Sequence, residues 1–483
     1  MILWFTLLAI VLTVSALIAG LVERAPLSFP MLFLGLGLLL GPGGVGIINL
    51  DPHSPALESV ATISLSLVLF LDAAKLDVQE LRRNWRVPLL SLGPVTLLTV
   101  GGIAAAAHFI FSIGLAPSLL LGAVLATTDP VVTRDVVRNV RIPRSVRQAL
   151  NVEAGMNDIV VLPLVLVLIA ILQSESRSAF GWVLFLAQLL LLSSLVGLVI
   201  GGIGAWLMGK VDARLNVQRE YQALYGLGLV LAAYVTAQAV GGDGFLAAFF
   251  AGLAVAIFDV TLCDCFMDYG DITAEMAMLL AFILFGIVLS SLLGLAPLLA
   301  SLALAIVTIV LVRPLAVTLV LRRATMSRAA RAFIGWFGPR GLSALLLALL
   351  VVEAELPFGE TLLAITGVVV LVSVVVHGIS ATPLANLYGR HIERAILTMP
   401  EEREGSVAGL FTGEASEVPR ITPETLAEQL AGPNPPIVLD VRARAAYDQD
   451  DGQLPGSERV LPDQIGDWAD KHVPGRPIVA YCT

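Results

Sequence analysis

Long uninterrupted apolar runs organise residues 1–386, with little alternation between apolar and polar positions. Hydropathy separates them into about 13 segments, each near the ~20 residues that a helix needs to cross a bilayer. They fall at 3–22, 29–49, 56–75, 87–112, 116–138, 146–172, 180–208, 221–239, 243–260, 273–290, 293–321, 329–352 and 360–386. Continuous rather than alternating apolar runs exclude a β-barrel. The fold class expected is therefore an all-α polytopic membrane protein of about 13 transmembrane helices, followed by a soluble tail.

Three polar interruptions stand out. Thr127-Thr128-Asp129-Pro130 breaks the fifth run, where Pro130 removes a backbone donor and disfavours helix at Asp129. Phe337-Gly338-Pro339-Arg340-Gly341 breaks the twelfth. Non-helical backbone at membrane depth survives only where protein or a wet cavity satisfies it. Two breaks seven spans apart predict inverted repeats whose broken helices cross near the bilayer midplane. The third interruption, Asn151-Val152-Glu153-Ala154-Gly155-Met156-Asn157-Asp158, runs directly into the uncharged stretch Ile159–Leu172. Acids at such depth are costly and default to a functional role.

Charge then orients the spans. Basic residues collect in alternate loops: Lys75 to Arg86, Arg134 to Arg147, Lys210 to Arg219 and Arg322 to Arg331. The positive-inside tendency makes these loops cytoplasmic, which sets the N-terminus outside and the tail inside a cell membrane. The loop Asp259–Asp271 departs from this pattern, being acidic where the alternation predicts a cytoplasmic loop. Of the 483 residues, 57% are hydrophobic and 14% charged, against about 25% charged in soluble domains. Nothing in the net charge of −9 points to nucleic acid. Three cysteines, Cys263, Cys265 and Cys482, make no disulfide framework. Met1–Val22 lacks a basic start and a small-residue cleavage site, so it reads as a retained span rather than a signal peptide.

The intramembrane acids are Asp129, Glu153 and Asp158. A carboxylate in a small site holds a proton or a small cation, not both, and that exclusion is the simplest physical basis for exchanging one for the other. Hard monovalent cations prefer oxygen ligands, which Thr128, Asn157, Asp158 and freed carbonyls supply. Glu153 and Asn157, four apart, share a helical face, whereas Asp158 turns about 100° away. A division of labour follows, with Asp158 binding ion and proton and Glu153 paired to an arginine. Arg340, at the second break, and Arg313, after the uncharged run Leu292–Val312, are both candidates for that arginine. Asp72, near the end of the third run, is a candidate for the ion entrance and equally an ordinary interfacial acid.

Thr127-Thr128-Asp129-Pro130, Glu153-Ala154-Gly155-Met156-Asn157-Asp158 and Trp336-Phe337-Gly338-Pro339-Arg340-Gly341 resemble, in order, signature segments of the monovalent cation:proton antiporter family, in its Na+/H+ exchanger branch. Leu69–Asp77 and Gly244–Gly252 resemble further family segments, and the match spans most of residues 1–390. The resemblance implies electroneutral exchange of one cation for one proton, with Asp158 as carrier and a Na+ site at Asp158 and Thr128. It also implies a homodimer moving in an elevator-like manner, embedded in lipid, with no cofactor and with Glu153 paired to Arg340. Where many relatives have a serine after the glutamate this chain has Ala154, which removes a hydroxyl ligand and leaves Na+, Li+ and K+ open.

The composition shifts at Leu387. Residues 391–420 read as a linker and 421–483 as a small α/β unit, with a capped helix at Ile421–Leu430 and buried strands at Ile437–Arg442 and Pro477–Tyr481. This order resembles the first part of a rhodanese-like domain, which implies a sulfur-carrying cysteine at or just beyond Cys482, on a loop that stabilises a thiolate. The cradle loop and later strands of such a domain would lie past Thr483, so an incomplete and inactive domain is expected. The leading reading is a transporter, not an enzyme, exchanging Na+ for H+. The rivals are a K+/H+ antiporter serving potassium efflux, a membrane-anchored sulfurtransferase and a channel.

Overall fold

The computed structural model describes residues 9–10, 13–14, 17, 28–76, 89–129, 136–137, 139, 142–173, 178–258, 264–324, 326–395, 421, 423–432, 435–442, 452–454, 456–460, 468 and 477–481. The chain divides into two compact units, one comprising Met1–Asn139 and Val146–Gly389, the other Val140–Ser145 and Arg390–Thr483.

Among its described residues the first unit is helical. Seven helices there are long and apolar enough to cross a membrane, and four shorter apolar helices accompany them. The helices are α1 (Phe29–Leu40), α2 (Pro55–Ala74), α3 (Ser91–Phe111), α4 (Leu115–Ala126), α5 (Arg144–Met156), α6 (Asp158–Leu172) and α7 (Phe180–Leu215). They continue as α8 (Arg219–Ala239), α9 (Gly244–Ile257), α10 (Asp264–Leu292), α11 (Leu298–Val320), α12 (Arg328–Trp336), α13 (Leu342–Glu353) and α14 (Gly359–Ala395). Most of the expected run 3–22 lies outside the described residues, as does Pro130.

Lipid offers no hydrophobic gain for helix association, so close packing depends on small residues. Gly197 and Gly201 stand one turn apart on α7; a Cβ on either would lie 2.3 Å from a carbonyl oxygen of α9, Ala247 or Ala251 respectively. The same device brings α1 to α10, where a Cβ on Gly37 would lie 2.2 Å from Ile283 O. At the centre, α13 packs on α2, α4, α6 and α10. It is buried along most of its length, which accounts for a sequence apolar on every side.

One irregularity positions the site. Residues Val307–Val312, within α11, form a π-helical turn directly before Arg313-Pro314. Proline cannot donate the next helical hydrogen bond, and a wide turn accommodates the missing donor. Removing the extra residue would swing Arg313 by about 100° around the helix.

In the second unit, α15 (Pro423–Leu430) accompanies three parallel strands, β1 (Ile437–Asp440), β2 (Glu458–Arg459) and β3 (Ile478–Tyr481), in the order β2-β1-β3. Leu439, Val441, Val460 and Trp468 form its core. Arg442 clasps Asp440 with Nη2 at 2.7 Å and Nε at 3.0 and 3.1 Å, and these hydrogen bonds hold the Asp440 carboxyl down at about 2. Residues 396–420 of the expected linker, most of the segment 461–468 and Cys482 lie outside the described residues.

Candidate functional site: two helix breaks and a buried acid cluster

The two breaks lie against each other. Asp129 N donates to Pro339 O at 2.9 Å, and Leu342 N donates to Asp129 Oδ2 at 2.8 Å. Arg340 Nη1 reaches Thr127 O at 3.2 Å and Gly338 O at 3.0 Å. The charges suit the helix ends that they meet: the carboxylate sits at the N-terminus of α13 and the guanidinium at the C-terminus of α4. Each break thereby satisfies backbone groups exposed by the other, which is what buried non-helical backbone requires.

Glycine is needed at this crossing. A Cβ on Gly341 would fall 1.8 Å from Asp129 Oδ2, and one on Gly338 would fall 1.7 Å from Arg313 Nε. Gly341→Ala must therefore displace the Asp129 carboxylate and leave the Leu342 amide unbonded. The expected result is a loss of about 1–3 kcal/mol, the cost of a buried unsatisfied polar group, read as a lower unfolding temperature in detergent. An unchanged temperature would show that Asp129 does not cap α13.

Glu153 pairs with Arg313, not with Arg340 as the family resemblance implied. Arg313 Nη1 lies 2.5 Å from Glu153 Oε1, and both side chains are 3% exposed. The reason is the π-turn and the end of α12: Arg313 Nη2 also donates to Phe337 O at 3.2 Å, so the cation sits on a helix C-terminus while it bonds the acid. Arg340 bonds the carbonyls of the two breaks through Nη1, while its Nε and Nη2 are buried without a hydrogen bond.

Asn157 forms the turn between α5 and α6. Its Nδ2 donates to Thr128 Oγ1 at 2.7 Å, which turns Oδ1 the other way. Asp158 opens α6 and is buried. Both Asn157 Oδ1 and Asp158 Oδ1 are buried without a hydrogen bond. Within this cluster Arg313 matches Glu153 and the α13 terminus matches Asp129, whereas Asp158 meets no cation among the described residues. Asp129 therefore carries a structural contact, while Asp158, Asn157 and Thr128 come together. Asp72 is beside Gly155, whose missing Cβ would stand 3.4 Å from Asp72 Cβ. It lies within electrostatic range of Asp158, and of a surface pair, Lys75 with Asp271.

Sequence reasoning missed two features. Ser343, in the first turn of α13, is buried and lies within electrostatic reach of the Asp158 carboxylate. Ser373 and His377 brace the second break: Arg340 N donates to Ser373 Oγ at 2.7 Å, and His377 Nε2 hydrogen-bonds Trp336 O at 2.9 Å. The spacing of Ser373, His377 and Ser380 on one face of an apolar helix was a readable signal; Ser343 gave none.

The family profile described as "Sodium/hydrogen exchanger, transmembrane" matches residues 10–387. The K(+)/H(+) antiporter NhaP2 of Shewanella oneidensis is 29% identical over 415 residues, covering 83% of this chain and 69% of that protein. The K(+)/H(+) antiporter NhaP of Alkalimonas amylolytica is 29% identical over 384 residues, covering 78% and 65% respectively. In fold, the chain is similar to the sodium proton antiporter MjNhaP1 from Methanocaldococcus jannaschii, with a TM-score of 0.68 and 22% identity over 80% of this chain and 99% of that one.

Proposed function

Because the chain belongs to the transmembrane sodium/hydrogen exchanger family, we propose that it exchanges one monovalent cation for one proton, electroneutrally, at Asp158. It is a multi-pass transporter and not an enzyme. The observation that carries the site assignment is the uncompensated Asp158 carboxylate, buried beside two unpartnered oxygens, its own Oδ1 and that of Asn157. A buried anion must be neutralised. A proton and a monovalent cation each supply one positive charge, and at one small site they exclude each other. Asn157, being neutral, keeps the exchanged charge at one. Thr128 orients Asn157 and keeps a lone pair free for the cation. Asp72 gives an acidic step between the Lys75–Asp271 pair and the site.

Two cations compete for this assignment. Na+ follows from the resemblance to the exchanger branch; K+ is favoured by the two relatives named as K(+)/H(+) antiporters. The test is reconstitution into liposomes with an internal pH dye, titrated separately with Na+, Li+ and K+ salts. Sodium-driven alkalinisation at lower concentration than potassium assigns Na+; the reverse order assigns K+; cation flux without proton counterflow means a channel.

The same reading has about 13 spans arranged as inverted repeats, a homodimer with an elevator-like movement in a cell membrane, the N-terminus outside and the tail in the cytoplasm. Residues 421–483 are proposed as a rhodanese-like unit carried on a linker over 391–420, a reading supported by the parallel strand order β2-β1-β3. Cys482 is its proposed sulfur-carrying residue.

A further inference from the structure

We infer that Ser373 and His377, on α14, are positioning residues for the cation site: through two peptide groups in series they set the direction of the Thr128 carbonyl. This rests on the assignment of exchange to Asp158, with freed carbonyls among the ligands.

Both flanks of the second break are tied to α14. Ser373 and His377 stand four residues apart on one helical face, and both are buried. His377 Nε2 faces the carbonyl oxygen of Trp336, the last residue of α12, at 2.9 Å. A carbonyl only accepts, so the ring proton is on Nε2. Nδ1 is then an acceptor. It lies 2.8 Å from Ser373 O and 3.2 Å from Ser373 Oγ, and of the two only the hydroxyl can donate to it. With its own proton committed, Ser373 Oγ accepts from Arg340 N at 2.7 Å. One neutral ring thereby joins residue 336 to residue 340 across the break.

The tie continues to the first break through the backbone. Arg340 N belongs to the same peptide group as Pro339 O, and that oxygen accepts from Asp129 N at 2.9 Å. Asp129 N in turn shares a peptide group with Thr128 O. Each group is a rigid plane whose N–H and C=O point in opposite directions. Holding Arg340 N therefore turns Pro339 O toward Asp129 N, and holding Asp129 N aims Thr128 O away from the second break. Backbone outside a helix has no helical ladder to fix its direction and depends on partners of this kind. Thr128 is already placed at the site by its hydroxyl, which accepts from Asn157 Nδ2 at 2.7 Å. Ser373 and His377 add control of its carbonyl from the far side of the crossing.

Loss of this control should appear in cation affinity rather than in turnover. Ser373→Ala leaves Arg340 N without its acceptor and lets both planes tilt. The expected result is a rise of about tenfold in the half-saturating cation concentration, the low end of what outer-shell partners contribute to ion affinity, with maximal exchange rate little changed. His377→Leu should shift it in the same direction. Ser373→Ala combined with His377→Leu should go no further than Ser373→Ala alone, because the two side chains act in one chain. Ser373→Thr, which keeps the hydroxyl, should stay near the native value. Ser380→Ala is the control for structural damage: it removes the 3.0 Å bond from Trp336 Nε1 on the same helix but touches neither peptide group. It should lower the unfolding temperature and leave half-saturation unchanged. The measurement is dye-monitored exchange in liposomes against LiCl, NaCl and KCl, beside thermal unfolding in detergent. Native half-saturation in Ser373→Ala overturns the inference. So does a shift in Ser380→Ala equal to that in Ser373→Ala, or a double variant whose shift is the product of the single ones. Asp158→Asn is run in parallel: exchange surviving in that variant overturns the parent assignment instead, so the two failures are distinct.

Discussion

Asp158→Asn is expected to reduce cation-driven proton movement to the level of empty liposomes, and to raise the stability of the protein while doing so. The two effects have one cause. The native site buries a carboxylate with no cationic partner among the described residues, and a bare charge there is expensive. The amide has nearly the same shape and no charge to neutralise, so neither a proton nor a cation has reason to bind. Relief is greatest at alkaline pH in choline buffer, where no proton or small cation compensates the native acid. Under those conditions the variant should unfold a few degrees higher, and the gap should close when the transported cation is added to the native protein. Thermal unfolding in detergent and flux in liposomes report the two halves separately. A variant that still acidifies or alkalinises on a cation gradient would remove Asp158 from the mechanism, whatever its stability.

The second large effect concerns the buried pair of Glu153 and Arg313. Removing one partner of a buried ion pair leaves an uncompensated charge, which costs about 3–5 kcal/mol. Glu153→Gln and Arg313→Gln should each destabilise by that order, and the double variant by much less than their sum. Arg340→Gln should be costly for a different reason: it strips Thr127 O and Gly338 O of their donor. Its cost should add more nearly to that of Glu153→Gln, because groups without a shared contact couple weakly. A double-mutant cycle read by chemical unfolding decides between the two arginines. Stronger coupling of Glu153 to Arg340 than to Arg313 would contradict the pairing described above.

How this pair came to differ from expectation shows where sequence reading stops. Both arginines were recognisable as partners, since each interrupts a long apolar stretch. The resemblance favoured Arg340, which lies in a signature segment. What separates them is a π-turn over Val307–Val312 that sets the direction of Arg313, and two helix ends that offer carbonyls to each guanidinium. Helix phase to within one residue is not encoded in hydropathy. Asp129 is a similar case: its type and depth suggested an ion ligand, and its contact with the first amide of α13 was invisible without the three-dimensional crossing.

By itself the sequence determined the membrane class, the position of most helices and the two breaks. Those follow from local properties: run length against bilayer thickness, and proline and glycine where a helix cannot continue. It also singled out Asp158, because an acid between apolar runs is costly wherever it ends up. Only the tertiary structure decided which charges neutralise one another and which one is left over. That depends on distances between residues far apart in the chain, such as 153 and 313 or 129 and 342, and on the directions in which helices present them. Ser343 belongs to the same category, an ordinary helical serine in sequence that the start of α13 places within electrostatic reach of the buried acid.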